Sequence, residues 1–376
     1  MKTFTCPFLS LLIGLTSAVL SATPFAAPMA DRLERPSRIS ASASQAPLTG
    51  IQRLGQRLVL VGADGHILLR EPDGRLHQAK VAVDVLLTAV HFVDDRQGWA
   101  VGHDGVVLHS ADGGENWDKQ LDGKTINTLM LTWAETEVAR LEQVASAQGS
   151  DNAAQLQALD NARFALDDIT AGAVAGPSRP LLDVWFANAD EGWVVGAYGM
   201  VLHTRDGGKR WDYLPDLDNP ERLHLNAVLG LANGDLLIAG EGGRLYRRVD
   251  GQWLAAQQLT PASLYKLVQL RDGEVLAMGF GAALLVSNNH GQDWKPIPLG
   301  TKASLYGAEQ LADGSLWLTG QAGVLLHSQD LQQFRLFQSA IRGAWLGVAA
   351  LGDTQLALVG NKGLHVLAIH ELKELR

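Results

Sequence analysis

Cysteine is the scarcest resource of this sequence. Its 376 residues contain one, Cys6, and Cys6 precedes an apolar run, so it is not placed like a lipoprotein cysteine. If the leader is removed, no thiol remains. The chain then forms no disulfide, no thiolate zinc site and no cysteine nucleophile. Stability must come from core burial, for which this length is ample. Positive charge is also short: 31 Lys+Arg stand against 40 Asp+Glu, a net charge of −9. Loss of Lys2 with the leader makes this 30 − 40 = −10. That balance argues against nucleic acid as the main partner. Long hydrophobic runs are missing too. The apolar run at 8–20 follows Lys2 and precedes the small residues and prolines of SATPFAAPMA. This is a secretory signal pattern, too short to span a bilayer comfortably. A signal peptide is expected over 1–26, with cleavage near Ala26 or Ala27, and delivery to the periplasm is expected. No later segment reaches spanning length.

Motifs of known chemistry are absent as well. There is no H-E-x-x-H and no G-x-S-x-G, and the GKT at 123–125 lacks the upstream Gly of a phosphate loop, since position 118 is Asp. His109, His203 and His327 recur at one position of successive repeats, so they are expected far apart and not as a metal set. No cofactor, metal or catalytic residue is expected.

What the sequence does have is repetition. The Gly that closes an apolar run recurs at Gly62, Gly102, Gly196, Gly240, Gly279, Gly320 and Gly360. The spacings are 40, 94, 44, 39, 41 and 40, and the long one is a repeat plus an insertion. Each Gly opens a four-residue unit: GADG, GHDG, GAYG, GEGG, GFGA, GQAG, GNKG. Short runs rich in Val, Leu and Ile flank each unit, with a further such run upstream. These are strands joined by tight hairpins, about four per repeat. Seven repeats of that kind predict an all-β seven-bladed propeller over 27–376. The last repeat stops after its third strand, and RISASAS at 38–44 is expected to supply its outer strand.

After three of the hairpins comes a polar turn ending in Trp: Ser110, Asp112, Gly114, Trp117; Thr204, Asp206, Gly208, Trp211; Ser287, Asn289, Gly291, Trp294. This matches the Asp-box, S/T-x-D-x-G-x-x-W. The acidic or amide side chain is expected to cap its own turn, and the Trp to lie between blades. One carboxylate per copy makes a poor calcium loop. Degraded copies stand at Asp250 to Trp253 and Ser328 to Asp330.

Asp-boxes in tandem with GW-x-VG-x-x-G-x-V/I-L-H-S/T, as in 98–117 and 192–211, resemble the photosystem II stability/assembly factor family of BNR-repeat propellers. The resemblance covers residues 50–367 apart from the insertion. It implies a non-catalytic assembly, stability or accessory factor that binds a protein client, a membrane protein or complex, and in non-photosynthetic relatives an envelope exporter. A monomer is expected. The alternative is a carbohydrate-active or glycan-binding sialidase-like propeller. A sialidase needs an arginine triad and a tyrosine nucleophile beside an acid. The tyrosines Tyr198, Tyr213, Tyr246, Tyr265 and Tyr306 have no suitable Glu beside them in sequence.

The insertion, 124–176, changes period. Leu131, Ala134, Val138, Leu141 and Ala145 follow helical spacing, as do Leu156, Leu159, Ala162, Leu166 and Ile169, with GSDN at 149–152 between them. A helical hairpin between blades 2 and 3 is expected, rising on the face that carries the seven G-x-x-G turns. That face is the expected partner-binding surface, with His103, Asp104, Tyr198, Glu241 and Phe280, plus Lys302 and Arg342 from the blade-to-blade loops. Asp64, Gln321, Asn361, Lys362, Lys80, Lys124 and Arg222 are expected beside them. Loops held by rigid blades are where a propeller binds.

Overall fold

A computed structural model describes residues 31–148 and 152–375. The expected leader, Cys6 and residues 149–151 of the helix connection lie outside the described residues. Residues 32–375 belong to one compact unit.

The described residues form seven sheets, antiparallel save for one added strand. Their innermost strands are Leu48–Leu54, Leu87–Phe92, Leu181–Phe186, Leu225–Gly230, Leu264–Gln269, Leu305–Gln310 and Trp345–Leu351. Each packs against the next, and the seventh returns to the first. This is a β-propeller, each sheet a blade. The second strand of each blade is buried at all or nearly all of its positions, as in Gly98–Gly102 and Leu316–Gly320. The first residue of every innermost strand is fully buried. Burial on both faces explains why these strands read as continuous apolar runs rather than alternating ones.

The recurring Gly at the end of the second strand has the same surroundings seven times. It pairs with the first residue of the innermost strand, as in Leu48↔Gly62 and Trp345↔Gly360, and each pairing is followed by a β-bulge. A Cβ on it would collide with the carbonyl oxygen that precedes the innermost strand: Pro47, Leu86, Pro180, His224, Ser263, Ser304 or Ala344. Space, not backbone angle, selects Gly here. The same carbonyl accepts the N–H of the residue after the Gly, at 2.8–3.2 Å in all seven. The turn that follows places two consecutive residues at positive φ in six blades, including the non-glycines Asp64, Asp104, Tyr198, Ala282 and Ala322. In these six blades the middle residue of the unit adopts positive φ as well as the closing one.

Side chains tie blade to blade along the axis. Thr49 donates to Leu87 O (2.6 Å), Thr88 to Leu181 O (2.8 Å) and Asn226 to Leu264 O (2.9 Å). At the far end Gln52 brackets Phe92 through both its amide atoms, and Glu309 accepts from Ala350 N.

Residues 38–44 do not form the expected outer strand. Blade 7 keeps three strands, and Ala43–Gln45 is a 3-10 turn beside the outermost of them. The reason lies in the polar groups. Gln78 accepts from Ser40 N and donates to Arg38 O, while Ser40 Oγ takes the N–H of Ser42. Side chains thus satisfy the backbone that a sheet edge would have used. Ala43 instead plugs the joint between blades 7 and 1, against Leu48, Leu58, Ala357 and Val359. Near the C-terminus, Lys373–Glu374 adds a fifth strand to blade 6.

Between the outer strand of blade 2 and the inner strand of blade 3 run α1 (Gly123–Gln148) and α2 (Ala153–Ala175), packed on each other. Asp122 caps the first by accepting from Lys124 N and Thr125 N, and Asn152 caps the second. The base of the pair enters the core between blades 2 and 3 through Ile126, Met130, Ala134 and Ile169. Ile126 and Met130 were missing from the expected stripe; Val138, Leu141 and Ala145 are only half-buried.

Two glycine-turn substitutions test this account. Gly243 has φ 70°, and a Cβ would strike Thr260 O. Gly243→Ala should therefore cost more than the ~1–2 kcal/mol of a left-handed residue alone. Ala282, at φ 64°, is the exception to the closing Gly, so Ala282→Gly should be neutral or stabilising by up to about 1 kcal/mol. Urea unfolding midpoints of the two variants read both.

Candidate functional site

The start of each innermost strand pairs with the end of the second strand, next to the G-x-x-G turn. All seven turns therefore gather at one end of the blades, and the Asp-boxes at the other. Helix α1 begins at the turn end, its Gly123 lying against the turn His103–Gly105.

Tyr198 is the centre of a row of contacts on this face. Its backbone sits at φ 58° and its side chain is 47% exposed. The Arg179 guanidinium lies 5.2 Å from the ring centroid, a cation–π contact. The His224 ring lies 5.0 Å away on another side. Arg179 and Arg222 both bind one oxygen of Asp168 on α2, at 3.1 and 2.7 Å. His224 Nδ1 is 3.1 Å from Glu241 Oε2, which also accepts the His224 N–H at 2.8 Å. The hairpin is thus joined by charge to the loops that lead into blades 3 and 4. Tyr198 and Glu241 are brought together; Arg222, expected as a free loop cation, is committed to Asp168. Sequence reasoning missed Arg179, His224 and Asp168. Their partnerships span up to 54 residues, so no local pattern carries them.

The other expected face residues stand apart from this row. His103 is exposed and Asp104 half-buried on the turn of blade 2. Phe280 is 59% exposed on the turn of blade 5, over an apolar groove with Leu259, Pro298 and Leu299. Lys302 and Arg342 are exposed in the following loops, as are Asp64, Gln321, Asn361, Lys362 and Lys124. Lys80 does not join them. It pairs with Asn116, beside the first Asp-box, because residues 80–81 form a parallel strand on blade 2.

In the boxes, Asp112 accepts from Glu115 N, Asn116 N and Ser110 Oγ, and the Ser110 oxygen takes Gly114 N–H. Asp206 takes Arg210 N–H, and Thr204 Oγ1 takes Gly208 N–H. Asn289 takes Asp293 N–H, and Ser287 Oγ takes Gly291 N–H. Trp117 and Trp294 donate indole N–H to Gly114 and Gly291 carbonyls, at 2.8 and 3.1 Å. Trp117, Trp211 and Trp294 each lie in the apolar layer shared with the preceding blade. His109, His203 and His327 each face a tryptophan across the strand pair, Trp99, Trp193 and Trp317. Among the described residues no His, Asp, Glu or Cys cluster could hold a metal.

The axis holds a second feature, a cavity of about 150 Å³ near the turn end. Its polar wall includes Asp183, Lys266, Tyr265 and Tyr306, and no arginine lines it. Burial pushes the Asp183 carboxyl up, although it accepts Val184 N–H and Val228 N–H. Further along, burial pushes His91 down to about 4, its Nε2 lying 3.1 Å from Phe186 O.

The ring of blades defines the protein class: a β-propeller. A family model described as "Photosynthesis system II assembly factor YCF48" matches residues 175–254, the stretch from the end of α2 through blade 4. Photosystem II assembly protein Ycf48 from Synechococcus sp. (strain JA-2-3B'a(2-13)) is 33% identical over 91 residues, 22% of this chain and 27% of that protein. The corresponding lipoprotein from Synechococcus sp. (strain CC9902) is 31% identical over 120 residues, 35% of its length. The chain thus spans between a quarter and about a third of the curated relatives it matches. Among solved structures, YCF48 bound to D1 peptide matches 86% of this chain and 94% of its own, with TM-score 0.57 and 17% identity. YCF48 from Cyanidioschyzon merolae gives 0.56 at 14% identity, over 88% and 97% of the two chains. The WD40 propeller of Doa1 gives 0.59 at 9% identity, over 88% and 95%. Over these segments the chain is similar to Ycf48, and over most of its length it shares the fold of the solved YCF48 propellers.

Two measurements follow from this geometry. Asp168→Asn removes the charge shared by two arginines, one of them nine-tenths buried. It should cost about 1–2 kcal/mol, between the exposed and buried limits. It should also speed amide hydrogen exchange at 169–174 while the blades stay protected. The second concerns pH. His91 binds its proton more weakly when folded than the ~6.5 of an unfolded His. Its contribution is therefore intact above pH ~6.5 and lost as pH falls towards 4, by roughly 3 kcal/mol. Unfolding curves from pH 7 to 4 should be flatter for His91→Gln than for the parent.

Proposed function

We propose that this chain is a non-catalytic client-binding factor that assists the assembly or stability of a membrane protein complex. The observation that carries the reading is Tyr198: a half-exposed aromatic side chain fixed between Arg179 and His224 on the turn face. Rigid aromatic anchors beside arginine are the common currency of protein recognition. His103, Asp104, Glu241, Phe280, Lys302 and Arg342 complete the proposed face, and the helical hairpin flanks it. The likeness to Ycf48, an assembly protein with one structure titled as bound to a D1 peptide, supports a protein client. Envelope exporters are the first class to test. The proposal extends to the seven-bladed ring with its insertion at 124–176, to a signal peptide at 1–26, and to a monomer working in the periplasm without a cofactor. The lack of an arginine on the axial wall weighs against a sialidase-type site.

The test is site-specific photocrosslinking in the native host. A probe replaces Tyr198, and a control probe replaces Gln292 in the third Asp-box, at the opposite end of the blades. A discrete membrane-protein adduct from position 198 alone is expected. Equal crosslinking from both positions, or none from 198, would remove the turn face as the docking surface.

A further inference from the structure

The axial cavity plays no part in the client reading, yet its polar groups are unevenly committed. Thr49, Thr88 and Asn226 spend donors on carbonyls of the next blade. Asp183 spends its oxygens on Val184 N–H and Val228 N–H. Lys266 is different. It is the one basic residue on the cavity wall, and no ion pair holds it among the described residues. Its charge reaches Asp183 and His91 only through space. Tyr265 and Tyr306 stand beside it with rings stacked, centroids 5.6 Å apart. A cation confined between low-dielectric walls concentrates anions.

We propose that the axial cavity binds a small molecule bearing one carboxylate, held by the Lys266 ammonium and the Tyr265 and Tyr306 hydroxyls. One free positive charge matches one negative charge. Asp183 lines the same cavity, so the second charge of a dianion such as phosphate would add repulsion that the single Lys266 charge does not offset. The wall also carries Ile51, Val90, Ala308 and Val348, against which a short hydrocarbon tail can lie. A volume of about 150 Å³ is of the order that admits a benzene ring. The ligand class is therefore a short aliphatic or a simple aromatic acid.

Isothermal titration calorimetry of the purified chain tests this, with butyrate and benzoate as probes and benzamide as the uncharged control. Saturable binding of at least one acid at a 1:1 ratio is expected, with benzamide weaker than benzoate. Lys266→Met should weaken the acid about tenfold or more, the scale of a lost charged hydrogen bond. Tyr306→Phe keeps the ring stack and should weaken it several-fold. Lys209→Met, an exposed lysine in the second Asp-box, should change nothing. No saturable heat with either acid overturns the proposal, as does unchanged affinity in Lys266→Met. Should that variant not fold, Tyr306→Phe decides, and unchanged affinity there is the overturning result.

Discussion

The fold depends on one close approach, made seven times. The last residue of each blade's second strand lies so near the carbonyl that opens the innermost strand that no side chain fits between them. That carbonyl accepts the next backbone N–H. The contact fixes three things together: the bulge at the head of the innermost strand, the sharp turn that follows, and the depth at which that turn sits. Because it recurs in every blade, the turns come to one level and form a face. The left-handed residues Asp64, Asp104 and Tyr198 are held there by their surroundings, at a cost the packed strands below offset.

Packing between blades is divided by height. At the turn end and along the axis, hydroxyl and amide side chains reach across to the next blade's carbonyls. In the middle, Leu, Val and Trp fill the layers, with Trp99 stacked on Phe186 at 3.6 Å between blades 2 and 3. At the far end, the Asp-boxes close their own turns and send Trp117, Trp211 and Trp294 back into the preceding layer. The boxes are therefore folding devices whose polar groups are consumed locally. The hairpin, Tyr198 and the axial cavity meet the same level of the fold, at the turn end.

The hairpin joins that level by two different forces. Ile126, Met130, Ala134 and Ile169 bury its base among blades 2 and 3, while Asp168 meets two arginines from beyond its own C-terminus. Apolar burial sets its position; the charge contact selects its orientation. Beyond the base α2 exposes Phe164, 71% accessible, as expected of a helix with only one face against a core.

The sequence by itself determined the repeat, its strands, the hairpin insertion and the box residues, because these are written in local order: a Gly every forty or so residues, apolar runs of fixed length, Asp and Ser a few positions before a Trp. Local order also misled. RISASAS has a strand's alternation, but Gln78 and its own serines use the hydrogen bonds a sheet would need. Lys80 reads as a loop cation of the turn face, but it pairs beside the first box. Tertiary structure alone decided which charged groups are spent and which are free. Arg222 and Arg179 meet Asp168, His224 meets Glu241, and Lys266 takes part in no ion pair among the described residues, because each outcome depends on blades that are neighbours in space and distant in sequence.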